Sequence, residues 1–432
     1  MRSMITILFT IFCMSLHADV ADSIIISVTK LLLNNPTEKE VILAYNQIVI
    51  GRAFGQFEDQ NLFESVRRSL HDEEIAIETF EMTKNDGIKE YALFAVRNNY
   101  DAPKFIELFK EDDLCDEIGK GERVFKDTVV ANMLLKPLLN ELNTVKTIYF
   151  TPVGILHSFP IEYCNTEDEV MLAEKYEFYR LTSSAILTQR KAEYEIYQTY
   201  AIYGGIDFDA LPAFEEKYDE SLPKNKFGFL SDSYLAAVDI HHFLTEKGLK
   251  SSLYDNDQAT EKSFMDIPLQ NIQVFLIETH GVSVPGNIET DGSDALMLSG
   301  ASYVMEGGIV PEGYEDGLMT TSEISMLNLS GIELAVISAC KSALGSVSWK
   351  GVGGLLHAFK TAGVKSLVMT TDDVVDYVSG MIWRFFFKNL IDGMGKREAL
   401  LNAIKEARTT HDGFYASPNY WTPFILIDGI NF

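Results

Sequence analysis

Short apolar runs alternate with helical patterns from residue 199 to the C-terminus, and this alternation limits the chain to few fold classes. Strands are predicted at 199–205, 251–254, 272–279, 295–298, 333–339, 366–371 and 421–428. Helices are predicted between them at 232–246, 321–328 and 353–362, followed by two more near the C-terminus. Strands that alternate with helices favour a largely parallel sheet flanked by helices, which is an α/β fold.

A smaller α/β region is predicted ahead of this sheet. Strands at 74–80 and 91–97 flank Asn85-Asp86-Gly87, a turn sequence typical of a hairpin. A helix over 128–142, a strand over 147–151 and a charged linking helix over 180–197 follow. The expected domains are a helical segment at 1–60, an α/β part at 61–196 and a catalytic part at 197–432.

The charge balance is strongly acidic and argues against one class of partner. The chain has 36 Lys and Arg residues against 63 Asp and Glu residues, a net charge of −27. Such a field repels phosphate backbones, so direct nucleic-acid binding is not expected, whereas basic peptides are attracted.

The four cysteines, Cys13, Cys115, Cys164 and Cys340, are widely and irregularly spaced. They form no CxxC pair, and no histidine pair has metal-ligand spacing, so neither a metal site nor a cofactor is expected. A chain with this much core to bury does not need a disulfide framework, which favours a reducing compartment.

The N-terminus leaves two localisations open. Residues 5–16 (ITILFTIFCMSL) are apolar but too short to span a bilayer. They are either a buried helix, in which case the protein is cytoplasmic, or the core of a signal peptide cleaved after Ala18, in which case it is exported. No membrane association is expected in either case.

Two of the predicted central strands end in reactive residues. One leads into His280-Gly281 and the other into Cys340. If the strands are parallel neighbours, an imidazole and a thiol meet at one edge of the sheet, as nucleophilic catalysis requires. The N–H groups of Gly281, in an expected tight turn, and of Cys340 would form an oxyanion hole. The alternative for Cys340 is a small buried side chain without chemistry.

The segments around these residues resemble the CHAT domain, a bacterial branch of the caspase, separase and gingipain superfamily of cysteine peptidases. The resemblance rests first on Thr279-His280-Gly281 and Ser338-Ala339-Cys340. Further matching segments are 148–162, 316–325, 351–363 and 418–426, and the overall similarity extends from about Leu62 to the C-terminus. It implies a caspase-like fold and a His280–Cys340 dyad.

The resemblance also implies a specificity residue. Related peptidases bind a basic side chain on the N-terminal side of the cleaved bond (P1) with an Asp placed after the helix that follows the cysteine. Asp372 is the first candidate here and Asp373 the second. A partly buried carboxylate selects Arg or Lys through charge-assisted hydrogen bonds; the alternative is that one of these residues caps the next helix.

Two functions follow from these features. The first is a cysteine endopeptidase that cleaves protein or peptide substrates after Arg or Lys, under the control of a regulatory protein partner. The alternative is a latent or non-catalytic interaction and signalling module in a bacterial defence complex. The short helical N-terminus favours the alternative, because isolated helices with apolar faces need a partner to cover them.

Overall fold

The computed structural model describes most of the chain, which forms two compact units. The described residues are 24–33, 35–53, 61–83, 88–191, 196–211, 227–284, 293–339, 347–348, 351–352 and 354–431. The first unit comprises the described parts of Met1–His157, Ile161–Arg190 and Val347–Gly351, and the second those of Ser158–Pro160, Lys191–Ser346 and Val352–Phe432. The domain boundaries near residues 60 and 196 stay predictions.

The first unit is a small α/β structure. Its helices are α1 (24–32), α2 (Glu38–Gly51), α3 (Leu62–Ser69), α4 (Glu111–Ile118), α5 (Arg123–Lys126), α6 (Val129–Leu135), α7 (Leu139–Leu142) and α8 (Leu172–Lys175). Its sheet contains β1 (Glu74–Thr83), β2 (Lys89–Val96), β3 (Lys104–Lys110), β4 (Thr147–Thr151) and β5 (Glu177–Arg180).

These five strands lie in the order β3-β2-β1-β4-β5. β1, β2 and β3 pair antiparallel, whereas β1, β4 and β5 run parallel. The predicted hairpin is therefore confirmed, with Ala76 opposite Val96, while its turn residues 85–87 lie outside the described part of the chain.

The second unit contains the larger sheet. Its helices are α9 (Ser231–Glu246), α10 (Glu261–Met265), α11 (Ala301–Met305), α12 (Thr321–Met326), α13 (Gly354–Thr361), α14 (Asp376–Ile391) and α15 (Lys396–Thr409). Its strands are β6 (Thr199–Ile206), β7 (Lys250–Asn256), β8 (Val274–Glu278), β9 (Gly281–Val284), β10 (Ser293–Met297), β11 (Leu318–Thr320), β12 (Leu334–Ser338), β15 (Ser366–Thr370) and β16 (Phe424–Ile427). A two-stranded ribbon, β13 (Val347–Ser348) and β14 (Gly351–Val352), precedes α13.

The main strands of this unit lie in the order β16-β15-β12-β8-β6-β7. All neighbouring pairs are parallel except the closing strand β16, which is antiparallel to β15. β9, β10 and β11 form a separate three-stranded antiparallel sheet. The predicted fold class, an α/β fold with a mostly parallel sheet flanked by helices, is confirmed.

Helices cover both faces of the parallel sheet because its strands are apolar at consecutive positions. On one face, Phe275 of β8 packs against Phe264 of α10 and Phe359 of α13. On the other face, Trp383 of α14 packs edge-on against Phe424 of β16, with ring centroids 5.1 Å apart. The central strands β8, β12 and β15 are therefore shielded from water on both sides, whereas the edge strand β7 is partly exposed.

Two predicted helices of the first unit differ from the structure. The helix expected over 128–142 is divided at a 3-10 turn, Lys136–Leu138, which contains Pro137. The linking helix expected over 180–197 is wrong, because β5 ends at Arg180 and a short 3-10 helix, Ser184–Gln189, follows it. The Ser183 hydroxyl accepts a hydrogen bond from the Ala185 N–H, which favours the tighter turn.

The remaining 3-10 segments are Gly154–His157, Ile161–Tyr163, Ile267–Gln270, His411–Gly413 and Pro418–Tyr420. None of the described helices is both long and apolar enough to cross a membrane. Residues 1–18, for which a signal peptide is one of two expectations, lie outside the described part.

A buried ion pair attaches the end of α2 to the first unit's sheet and generates a stability prediction. Arg52 Nη1 donates to Glu78 Oε1 at 2.8 Å and to the Thr79 carbonyl at 2.7 Å, and both charged side chains are at most 1% exposed. Replacing Arg52 by Met leaves the Glu78 charge buried without its cation, so the free energy of unfolding should fall by about 3–5 kcal/mol.

Urea denaturation of the full chain measures this change. Arg68→Met is the matched control, because Arg68 pairs with Glu64 at 2.6 Å but is 74% exposed, and its loss should cost less than about 1 kcal/mol. Equal losses in the two variants would contradict a structural role for the Arg52–Glu78 pair.

Candidate active site

Three neighbouring parallel strands end together at one edge of the second unit's sheet. Ser338 of β12 lies opposite Glu278 of β8, and Val336 of β12 lies opposite Val368 of β15, which ends at Thr370. The Thr279 N–H donates to the Ser338 carbonyl at 3.0 Å, and the Thr370 hydroxyl donates to the Ala339 carbonyl at 2.5 Å. The chain leaves this edge from three adjacent points, so the residues that follow start as neighbours.

His280 lies two residues beyond Glu278, and its ring is held by one carbonyl and two aromatic rings. Nε2 lies 3.0 Å from the Gly228 carbonyl oxygen. The Phe208 and Phe227 ring centroids lie 4.9 Å and 5.8 Å from the imidazole. Because a carbonyl only accepts, Nε2 must hold the proton, and in the neutral ring Nδ1 presents the lone pair. A neutral ring held in this way can accept a proton at Nδ1.

Cys340, the predicted nucleophile, lies outside the described residues, as does its N–H in the predicted oxyanion hole. The last described residue before it is Ala339, which is buried one position beyond β12. β12 and β8 are parallel neighbours. The described chain after β12 ends one residue before Cys340, and the chain after β8 leads to His280.

Gly281 begins strand β9, so the tight turn expected after His280 is wrong. The Met297 N–H donates to the His280 carbonyl at 3.0 Å, and Gly281 is the next residue, paired with Leu296. Residues in an antiparallel ladder alternate between bonded and non-bonded pairs, so the Gly281 N–H points away from β10. This orientation is compatible with the oxyanion-hole role expected for the Gly281 N–H.

Asp372 and Asp373 follow β15 at the same edge, and both are exposed. The expectation that the specificity carboxylate is partly buried is therefore wrong for both residues. Neither residue caps the next helix, since the N-cap position of α14 is Val375. The Asp373 N–H donates to Asp372 Oδ1 at 2.8 Å, which orients the Asp372 carboxylate beside the strand end.

Sequence reasoning missed Glu278, which is 1% exposed and is the last residue of β8. No hydrogen bond of ordinary length and angle reaches its carboxyl oxygens from the described residues, although the Ser233 hydroxyl lies near enough to oppose part of the rise in its pKa. Burial raises the pKa of Glu278 well above its ordinary value, and the nearby Asp376 carboxylate raises it further. The sequence offered one indication of this residue: a glutamate ends the otherwise apolar run VFLIE, two residues before His280.

The described residues were also compared with the requirements of a metal site. No group of three or more His, Cys, Asp or Glu residues there is arranged to hold a metal ion.

Comparison with known proteins identifies the family. The model of the CHAT domain family matches residues 128–428. The chain belongs to the CHAT domain family. The match begins later than the resemblance expected from about Leu62, and it includes the three strand ends described above.

Two solved structures are similar to this CHAT domain protein to different degrees. Separase of Saccharomyces cerevisiae, solved as a separase–securin complex, matches 92% of this chain with a TM-score of 0.54 and 9% identity. The Arg-specific cysteine proteinase gingipain R matches 73% of this chain and 74% of its own, with a TM-score of 0.43 and 11% identity. The likeness to separase supports a caspase-like peptidase fold.

A sequence relative is the mouse tetratricopeptide repeat protein 28, 25% identical over 150 residues. The CHAT chain matches only 6% of that protein's length and 34% of the separase chain. These comparisons cover a part of each relative and show family and fold.

The buried carboxyl of Glu278 generates a pH-dependent prediction. The folded state keeps the Glu278 proton at pH values where the unfolded chain, with an ordinary pKa of 4.5, has lost it. Between these two pKa values the unfolded state binds fewer protons than the folded state. The free energy of unfolding therefore falls as pH rises above 4.5. Glu278→Gln should remove this loss, which has a slope of up to about 1.4 kcal/mol per pH unit.

The measurement is the free energy of unfolding of both proteins from about pH 5 to about pH 7. Glu246→Gln is the control, since Glu246 is 64% exposed and its removal should leave the pH profile unchanged. A Glu278→Gln profile parallel to that of the native protein would show that Glu278 ionises normally.

Proposed function

We propose that this CHAT domain protein is a cysteine endopeptidase in which Cys340 is the nucleophile and His280 is the base. The observation that supports it most is the register of β8 with β12, in which Glu278 lies opposite Ser338. His280 and Cys340 each follow two residues later in the sequence. Adjacent parallel strands are about 4.8 Å apart, so residues that leave them at the same level begin within reach of one another.

The proposed reaction uses the two nitrogens of His280 differently. Nε2 keeps its proton and donates it in a hydrogen bond to the Gly228 carbonyl, while Nδ1 takes the proton from the Cys340 thiol. The thiolate attacks the peptide carbonyl carbon, and the N–H groups of Gly281 and Cys340 stabilise the resulting oxyanion. Nδ1–H then protonates the leaving amine as the C–N bond breaks. Water, deprotonated by the same nitrogen, releases the acyl group from sulfur and restores the thiol.

Specificity for Arg or Lys is proposed to come from Asp372, with Asp373 as the second candidate. β15 is the parallel neighbour of β12 on the side opposite β8, so Asp372 and His280 flank the strand that leads to Cys340. Although Asp372 is exposed, a substrate side chain that packs over it would reduce its contact with water and strengthen the ion pair. The net charge of −27 also attracts basic peptides.

Mutation of the dyad and of the two aspartates tests this proposal on fluorogenic peptides with Arg, Lys or Ala before the cleaved bond. Cys340→Ala and His280→Gln should each reduce kcat/KM by at least about a hundredfold, whereas Cys115→Ala, which removes an exposed thiol, should not. Asp372→Asn should reduce cleavage of the Arg and Lys peptides more than Asp373→Asn does. Undiminished cleavage by Cys340→Ala would exclude the mechanism.

Exposed apolar side chains favour a second candidate, a peptidase that stays latent until a protein partner binds. Leu43 and Ile50, seven residues apart on α2, are 48% and 42% exposed. Ile26, in α1, and Leu33, the residue that follows α1, are also seven residues apart, and both are exposed. Residues seven apart share a helix face, so both segments present an apolar stripe that a partner would cover.

An arginyl chloromethyl ketone distinguishes the two candidates, because it alkylates only a competent site. Modification of Cys340 in the isolated protein, detected by peptide mass spectrometry, supports an enzyme that is active alone. Modification only after a binding partner is added supports the latent form. Failure to modify Cys340 under both conditions would oppose both.

A further inference from the structure

Helix α9 lacks a capping side chain of its own at its N-terminus. Its N-cap residue is Leu230, which makes no side-chain hydrogen bond there. The first N–H groups of an α-helix have no partner within the helix, and leaving them unsatisfied in a buried setting is costly. Ser233, the third residue of α9, is 2% exposed, so water cannot readily serve its N–H.

Asp376, the first residue of α14, supplies the missing cap from another part of the chain. Its Oδ2 accepts from the Asp232 N–H at 2.9 Å, and its Oδ1 accepts from the Ser233 N–H at 2.9 Å. The Ser233 hydroxyl donates to the same Oδ1 at 2.5 Å. Asp232 and Ser233 occupy the N2 and N3 positions, which a local Asp or Ser at the N-cap would ordinarily serve.

Close packing holds Asp376 at this position. A Cβ added to Gly380, one turn along α14, would lie 3.0 Å from the Asp232 carbonyl oxygen and 3.1 Å from the Ala236 Cβ. A Cβ added to Gly204 of β6 would lie 2.7 Å from the Ala237 Cβ, so α9 also lies directly against the sheet. The start of α9 is therefore fixed relative to α14 and to the parallel strands.

The capped end of α9 leads directly to the contact that orients His280. Gly228 lies two residues before Leu230, and its carbonyl is the partner of His280 Nε2 at 3.0 Å. Phe227, the residue before it, contributes one of the two rings beside the imidazole. A displacement of the α9 terminus would move both groups that hold the ring.

We infer that Asp376 is a positioning residue: by capping α9 it holds the Gly228 carbonyl at Nε2 of His280. The inference rests on the proposed function, in which Nδ1 of His280 is the base. Without this cap the carbonyl no longer selects the Nε2–H form, and a fraction of the rings presents a protonated Nδ1, which cannot accept the thiol proton. Such an effect lowers kcat and leaves KM nearly unchanged.

Asp376→Asn tests the inference, because the amide keeps the shape of the side chain but replaces one acceptor by a donor that faces an N–H. The variant should lose about tenfold in kcat, with KM within about twofold of the native value. Asp239→Asn is the matched control. Asp239 also joins α9 to α14, through an ion pair with Arg384 at 2.7 Å, but it lies away from the helix terminus and should not change kcat.

The tautomer of His280 gives a second readout that does not depend on peptidase activity. Nitrogen chemical shifts of isotopically ring-labelled histidine report it, and His280→Gln assigns the signal among the eight histidines. The native protein and Asp239→Asn should show the Nε2–H form, and Asp376→Asn a mixture of both forms. Leu230→Asp combined with Asp376→Asn, which gives α9 a local cap, should restore the Nε2–H form.

The outcomes separate the inference from the proposed function. An unchanged His280 tautomer in Asp376→Asn would overturn the positioning role, whatever the activity. A native protein without peptidase activity, whose tautomer nevertheless responds to Asp376, would refute an enzyme that is active alone and keep the positioning role. If Asp376→Asn does not fold, Asp376→Glu, which displaces the carboxylate by one methylene, replaces it and should also give a mixture.

Discussion

The parallel pairing of β8 with β12 is the interaction on which the site depends. Because Glu278 lies opposite Ser338, the two strands end at the same level and release their chains at one edge of the sheet. A shift of one residue would turn the alternate side chains of β8 to the opposite face. Because both faces of these strands are apolar and covered by helices, the register depends on how individual side chains pack, such as Phe275 against Phe264 and Phe359. Packing far from the edge therefore determines which side chains meet there.

Buried polar groups link the helices to this sheet. Lys360 of α13 forms a buried ion pair with Asp428, just after β16, at 2.8 Å. Asp376 of α14 caps α9 through three hydrogen bonds, and α9 begins three residues after Gly228. Buried charges of this kind specify an arrangement more than they stabilise it, because desolvation opposes the attraction between them. In this protein they determine where helices begin and end relative to the strand ends.

Much of the second unit could be predicted from the sequence because its strands are continuous apolar runs. The strands predicted at 272–279, 333–339 and 366–371 differ from β8, β12 and β15 by no more than two residues at either end. The prediction failed over 180–197, where local serine hydrogen bonds favour a 3-10 turn. It also failed at Gly281, where pairing with β10 keeps the chain extended. A glycine is compatible with either conformation, so the sequence alone did not distinguish them.

The supporting residues of the site were harder to predict because their partners are remote in the chain. Asp376 and Ser233 are 143 residues apart, and no local pattern links an aspartate at the start of one helix with a leucine at the N-cap of another. The residues of the proposed dyad were recognisable because each follows an apolar strand directly. Residues that carry out chemistry at strand ends therefore leave a local pattern, whereas residues that position them are identified only from the fold.

The rate of Cys340 alkylation by iodoacetamide near neutral pH, compared between the native protein and His280→Gln, tests the central claim most directly. Exposed Cys115 serves as an internal reference in the same digest. If the imidazole and the thiol share one site, the substitution should slow alkylation of Cys340 by at least about tenfold and leave Cys115 unchanged. Equal rates at Cys340 in the two proteins would show that the His280 ring does not act on the thiol, and would contradict the account.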